Sequence, residues 1–317
     1  MSNLKRSSVF VGAMALALAA FTPAHAQKEL TILESVPGLN FPFFVHMMNQ
    51  MKAEAEALGG ITVIESDGQD STPKQAADVE TAIVQGVDGI VISPREVDAM
   101  APAIQQAIDA GIPVVTIDRR VDKVPGVLAH VGADNVKGGE AQGQLIMKLF
   151  PDGATIINLQ GTPGASPAID RNKGLHNVLD AAGDKYKFAF EQTANFRRAD
   201  GLSVTESALG GMDKPPQVIV AGNDDMILGA IEALKARNIT GVVTLGFDAL
   251  PEALAAVKDG SLTATVEQFP GGQSRGAVDA LVKYLRDGVK PEPLVLLTPV
   301  AITKDNINDA ERIGELK

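Results

Sequence analysis

Residues 29–67 read ELTILESVPGLNFPFFVHMMNQMKAEAEALGGITVIESD, and their order decides the fold. Segments 30–33 and 61–64 are short runs rich in β-branched residues, as expected of buried strands, whereas 43–58 carries apolar residues at helical spacing. Gly59-Gly60 falls where a helix C-cap is expected. A strand, a helix and a second strand in that order predict a parallel sheet wound by helices.

The same alternation continues downstream. Helical spacing over 73–85 and 99–110 separates strand-like runs at Gly89–Ile92 and Val114–Ile117, with Gly86 and Gly111 at the expected helix ends. It then repeats, with strands expected at 155–159, 188–191, 218–221, 242–245 and 262–266. Helices are expected between them at 136–149, 168–182, 202–209, 226–236 and 251–257. The chain therefore predicts two α/β lobes. Gly111-Ile-Pro-Val-Val-Thr-Ile-Asp118 and Gly241-Val-Val-Thr-Leu-Gly-Phe-Asp248 echo each other, each ending a valine-rich strand on an aspartate.

The N-terminus sets the compartment. Lys5 and Arg6 precede an apolar run over 9–21, and Ala24-His25-Ala26 follows as a small-residue cleavage site, so residues 1–26 read as a secretory signal peptide with Gln27 first in the mature chain. Thirteen apolar residues are short for a bilayer span, and membrane insertion is not expected. The absence of cysteine excludes disulfides and an acylated N-terminal Cys, which favours a freely diffusing periplasmic protein. The formal charge is −11, from 28 Lys and Arg against 39 Asp and Glu, and loss of Lys5 and Arg6 with the leader makes it −13. An acidic surface without Lys/Arg clusters does not suit nucleic acid or anionic membrane.

Ligands of open α/β sheets gather beyond the carboxyl ends of the strands. The residues expected there are Ser93, Asp118 and Arg119 from the first half, and Asn223, Asp224, Asp225, Phe247 and Asp248 from the second. Carboxylate acceptors beside guanidinium and amide donors match hydroxyl partners, which both donate and accept. Singly, each could equally be a turn or cap residue, and Asp224-Asp225 reads most simply as an acidic first helical turn. Aromatic residues are scarce, 11 Phe and 2 Tyr with no Trp, yet three stand together in Phe41-Pro42-Phe43-Phe44, with Phe196 and Phe247 near other strand ends. Such rings can cover the C–H face of a sugar, although Phe44 could as well be core.

Dinucleotide- and nucleotide-binding motifs are missing from the sequence. It contains no G-x-G-x-x-G and no G-x-x-x-x-G-K-[ST]. His46, His130 and His176 have no histidine three or four residues away, so no helical metal pair, cofactor or catalytic residue is expected.

Seven ordered stretches carry a family resemblance: N-F-P-F-F, V-I-S-P-R at 91–95, G-I-P-V-V-T-I-D-R at 111–119, G-A-D-N-V-K-G-G at 132–139, L-Q-G-T-P-G at 159–164, N-D-D-M-I-L-G-A at 223–230 and G-F-D at 246–248. Together they resemble the periplasmic ribose-binding protein family, the sugar-binding components of ABC importers, over essentially the whole mature chain. The resemblance implies a periplasmic binding protein of type I, with two Rossmann-like lobes whose parallel sheets are joined by a three-strand hinge. It implies an N-terminal lobe of 27–132 plus 268–297 and a C-terminal lobe of 133–267 plus 298–317. It places Phe41, Phe43, Phe44, Ser93, Asp118 and Arg119 on the ligand from the first lobe, and Arg171, Phe196, Asn223, Asp248 and the crossover residue Gln268 from the second.

Two positions depart from the ribose binders, which carry Asn where this chain has Phe41 and Ser93. A shorter residue at 93 implies room for a hexose or an acyclic polyol rather than ribose. The expected role is capture of a neutral monosaccharide or sugar alcohol by a monomer that presents it to an ABC permease. Two rivals share the fold: a ligand carrier for a chemoreceptor, and the effector domain of a lactose-repressor-like regulator. The latter would need a helix-turn-helix of roughly 50 residues where the signal peptide stands.

Overall fold

The computed structural model describes residues 28–316; the leader read at 1–26 lies outside them. The first lobe's strands are β1 (Leu30–Val36), β2 (Ile61–Asp67), β3 (Gly89–Ile92), β4 (Val114–Ile117), β5 (Ala129–Ala133) and β11 (Leu294–Leu297). They form one parallel six-stranded sheet in the order β11-β5-β4-β3-β1-β2. Helices α1 (Pro42–Leu58), α2 (Thr72–Gln85), α3 (Ala101–Asp109) and α9 (Pro270–Asp287) cover it. Side chains alternate across a strand, so Leu30, Ile32 and Val36 share one core with Met47, Met48 and Met51 of α1 and with Val278 and Leu281 of α9. Leu33, Ile90 and Ile92 enter a second core with Val79, Ile104 and Ala107. Burial on both faces is why these strands read as continuous apolar runs rather than alternating ones.

The second lobe contains α4 (Asn135–Leu149), β6 (Ala154–Gln160), α5 (Ser166–Leu179), β7 (Tyr186–Thr193), α6 (Arg198–Gly210), β8 (Val218–Ala221), α7 (Asp224–Ala236), β9 (Val243–Leu245), α8 (Pro251–Asp259), β10 (Thr265–Glu267) and β12 (Val300–Ile302). Its parallel sheet runs β7-β6-β8-β9, and β10 pairs antiparallel with β12. A bridge between Leu245 and Ala264 and the bond from Asp248 N to Val266 O (2.8 Å) lay β10 beside β9. The chain passes between the two bodies three times, from β5 into α4, from β10 into α9 and from β11 into β12. Those crossings form the hinge of a type I periplasmic binding fold.

Helices α4 and α5 pack closely because glycines face the contact. A Cβ on Gly139 would lie 2.0 Å from the carbonyl oxygen of Arg171, a separation only glycine permits. That contact fixes the height of Arg171 above the sheet.

Among the described residues, three strands and one α-helix lie outside those expected from periodicity: β5, β11, β12 and α9. Strand β5 is AHVGA, with too little β-branched character to stand out, and it is specified by pairing to β4 and β11. Helix α9 begins Pro-Gly-Gly, a sequence that reads as a turn. Strands β11 and β12 are four and three residues long, below what periodicity resolves.

Candidate ligand-binding site

The carboxyl ends of both parallel sheets face one cavity of ≈ 340 Å³, near the low end of the range for small-molecule sites. Phe41, Phe43, Phe44, Asp118 and Arg119 line it from the first lobe, Arg171, Phe196, Asn223 and Asp248 from the second, and Gln268 from the crossing between β10 and α9. Ser93, the remaining residue singled out in the sequence, stands elsewhere. It is fully buried behind the wall, and its hydroxyl donates to Asp118 Oδ2 (3.2 Å), so a short side chain at 93 supports Asp118 instead of enlarging the cavity.

The two lobes present a similar pair of groups. Asp118 follows β4 directly and Asp248 lies just beyond β9, and both have left-handed backbone, φ 58° and 109°. Such backbone is costly for a non-glycine residue and persists where the surroundings hold it. Here the N–H of each aspartate is bonded to the neighbouring strand, Asp118 to Val131 O (3.0 Å) and Asp248 to Val266 O (2.8 Å). Each carboxylate has a guanidinium beside it, Arg119 Nε at 3.8 Å from Asp118 and Arg171 Nη1 at 3.4 Å from Asp248.

Aromatic faces hold the guanidinium groups. Arg119 lies 5.1 Å from the Phe44 ring centre and 5.5 Å from that of Phe196, so residues of both lobes flank it. Phe44 in turn meets Phe41 and Phe43 edge-on. Arg171 stacks 3.6 Å from Phe247, a ring buried under the site. Its Nε donates to Asn135 Oδ1 (2.8 Å) and its Nη1 to Gly222 O (2.7 Å). Asn223 caps α7, accepting from Met226 N (3.0 Å), and donates to Phe196 O (3.2 Å). That second bond steadies Phe196, itself at φ 60°.

Two polar atoms of the wall lack a hydrogen-bond partner. Arg119 Nε and Gln268 Oε1 are buried without one, although Arg119 Nη1 donates to Arg95 O (2.9 Å) and Gln268 Nε2 to Asp248 Oδ1 (2.6 Å). Burial without partners is costly, and a ligand with hydroxyl groups would relieve it. The ionisation of the wall carries the same signature. Burial pushes the Asp248 carboxyl up to about 7 against the pull of Arg171, and lowers Arg119 to about 10. It also raises Asp118, with Arg119 opposing.

Two lining residues lie outside the contact set that the family resemblance implies, Pro167 and Asp225. Pro167 opens α5 and would be expected there for helix initiation alone. Asp225 is indeed in the first turn of α7, as expected, but it also lines the cavity. Its place two residues after Asn223 was the available signal.

The lobes meet over the cavity. Val97 N donates to Gly164 O (2.9 Å), Arg120 N to Ser166 Oγ (3.0 Å), and the Arg120 guanidinium to both oxygens of Asp170. Arg197 pairs with Asp70 at the same rim. The site is thus enclosed between two bodies.

A two-lobed binding protein with a polar cavity at its hinge is the class that fold and site define. The family model for the periplasmic binding protein domain matches residues 33–289. The ribose import binding protein of Bacillus subtilis is 41% identical over 244 residues, 77% of this chain and 78% of that protein. The galactofuranose-binding protein of Escherichia coli is 36% identical over 256 residues, 78% and 80% of the two chains. Among solved structures, the Caulobacter myo-inositol binding protein bound to myo-inositol superposes with a TM-score of 0.88 at 40% identity, covering 91% of this chain and 98% of that one. The chain belongs to the periplasmic binding protein family, and within it to the sugar-type solute-binding proteins of ABC importers.

Proposed function

We propose that the protein captures one neutral polyol ring between its lobes, a six-carbon cyclitol or hexose in preference to ribose, and delivers it to an ABC permease without chemical change. The observation that carries this reading is the pairing of Asp118 with Arg119 and of Asp248 with Arg171 across one cavity, beside the unpartnered Arg119 Nε and Gln268 Oε1. Hydroxyl groups donate to the carboxylates and accept from the guanidinium groups, while Phe44 and Phe196 exclude water. The residues named above, Phe41, Phe43 and Asn223 included, would make up the contact set, with Ser93 acting through Asp118. The myo-inositol bound by the Caulobacter relative supports a six-carbon ring, and the ribose and galactofuranose named for other relatives fix the breadth of the test.

Ligand contacts made from both lobes favour the closed arrangement, the form taken to dock on the permease. The lobes are taken as 27–132 plus 268–297 and 133–267 plus 298–317. The protein acts as a monomer in the periplasm after removal of residues 1–26. N-terminal sequencing of the exported protein should return Gln27, and a start at Met1 would contradict the export step. A thermal-shift panel of pentoses, hexoses, alditols and inositols tests the ligand class. The largest stabilisation is expected from a six-carbon ring, and tightest binding to ribose would contradict that preference.

A further inference from the structure

The cavity wall carries three carboxylates and two guanidinium groups, and Asp225 is the carboxylate without a cation of its own. Asp118 and Asp248 have Arg119 and Arg171 beside them. The cation that Asp225 feels most, Arg198 of α6, is committed to Glu252 of α8 through two bonds of 2.9 and 2.6 Å and lies 3.8 Å from Glu232. Among the described residues, no side chain or backbone N–H donates to the Asp225 carboxylate. Helix α7 does not need it for capping either, because Asn223 caps the helix and Asp224 spends its own carboxylate on Thr265 Oγ1 (2.7 Å) and Leu250 N (2.8 Å). Asp225 is nevertheless only 9% exposed and lines the ligand cavity.

We propose that Asp225 is a specificity residue that receives an ammonium group, so that the preferred ligands are monoamino-substituted ring polyols such as aminocyclitols or amino sugars. This rests on the reading of the cavity as a polyol site and extends its ligand class from neutral polyols to their amines. An ammonium donates three hydrogen bonds and brings the positive charge that the wall lacks at this point. Burial pushes the Asp225 carboxyl up to about 6, with Arg198 opposing and Glu252 reinforcing the rise. It is therefore mostly ionised at neutral pH, and a bound cation would hold it so. Asp248, whose own rise includes a contribution from Asp225, is the other acid of the wall that a nearby cation would reach.

Calorimetric titration of the full chain with myo-inositol and its monoamino-monodeoxy derivatives, and with glucose, glucosamine and the other monoamino-deoxyglucoses, tests the assignment. At neutral pH at least one amine should bind ~10-fold or more tightly than its neutral parent, the gain of a charge-assisted over a neutral hydrogen bond. In Asp225→Asn that ratio should fall to about one or below, and in the unaltered protein it should shrink as pH drops through about 6, where the carboxylate takes up its proton. A purely structural role for Asp225 would leave the amine-to-parent ratio unmoved. Amines that bind no better than their parents, or a ratio unchanged in Asp225→Asn, overturn the assignment while neutral binding stands. If neither parents nor amines bind, the polyol reading falls, and this inference with it.

Discussion

Replacing Arg119 with lysine keeps a positive charge in the cavity but removes the planar fork, and the structure sets what that should cost. Arg119 is 4% exposed and lies between Phe44 and Phe196 at 5.1 and 5.5 Å, with Nη1 tied to Arg95 O at 2.9 Å and Nε left for the ligand. Lysine can offer one ammonium where the guanidinium offers donors in two directions, and it loses the flat contact with the rings. A hydrogen bond from a charged group contributes about 1.5–3 kcal/mol, and a desolvated cation–π contact up to about 2 kcal/mol, part of which lysine retains. A loss of about 2–3 kcal/mol in binding follows, or ~30- to 140-fold in Kd. Folding stability should fall by only about 1 kcal/mol, the bond to Arg95 O. Burial that lowers Arg119 to about 10 would lower a lysine there too, from a smaller starting value. Binding by Arg119→Lys should therefore weaken further above neutral pH as the ammonium loses its proton, while the unaltered protein keeps its charge there. Isothermal titration across pH, with calorimetric unfolding as the control, measures both. Affinity within about threefold of the unaltered protein would remove Arg119 from the site.

Three other substitutions test separate parts of the structure. Glu34 is fully buried on β1 with neither carboxylate oxygen hydrogen-bonded, and burial raises it from 4.5 to about 8, with Glu65 reinforcing the rise. A carboxyl whose folded value is raised leaves stability intact below about 4.5 and costs progressively more as pH rises toward 8, on the order of 3 kcal/mol at pH 7. Glu34→Gln should therefore raise the unfolding temperature at pH 7 and give little gain near pH 4.5, and a gain independent of pH would refute the burial argument. A Cβ on Gly161 would lie 2.1 Å from the Phe196 ring, so Gly161→Ala should swing that ring into the cavity and weaken ligand binding tenfold or more on the order of 1.4 kcal/mol, which calorimetry would detect. Asp170→Asn removes the charge that Arg120 grips across the rim. The ligand off-rate should then rise about two- to fivefold at low salt, the worth of a partly exposed pair, and stopped-flow measurements at high salt should find the difference reduced.

The α/β architecture was legible because β1, β3 and β4 are buried on both faces, which leaves apolar runs that periodicity reads directly. Strands β5, β11 and β12 were not, since they are defined by partners distant in the sequence rather than by their own residues. The site divides in the same way. Asp118 and Asp248 could be found from the echoed strands that end on them, but the left-handed backbone they share appears only in three dimensions. Arg171 lies inside a helix with no strand end to mark it, and it came from the family resemblance alone. Asp225 was visible but looked like a helix-dipole residue, because its first-turn position gives no sign that Asp224 beside it is already satisfied. The short side chain of Ser93 suggests space for a larger ligand in the sequence alone, whereas in the structure it is buried and bonds to Asp118.

The central claim is that one intact polyol sits between the lobes and is not turned over. Native mass spectrometry of the protein purified from its own periplasm tests this most directly, with the retained compound released and identified. The account predicts one polyhydroxylated molecule per chain, chemically unchanged after prolonged incubation and largely absent from Arg119→Lys. A retained nucleotide or peptide, or a sugar converted to product during incubation, would contradict it.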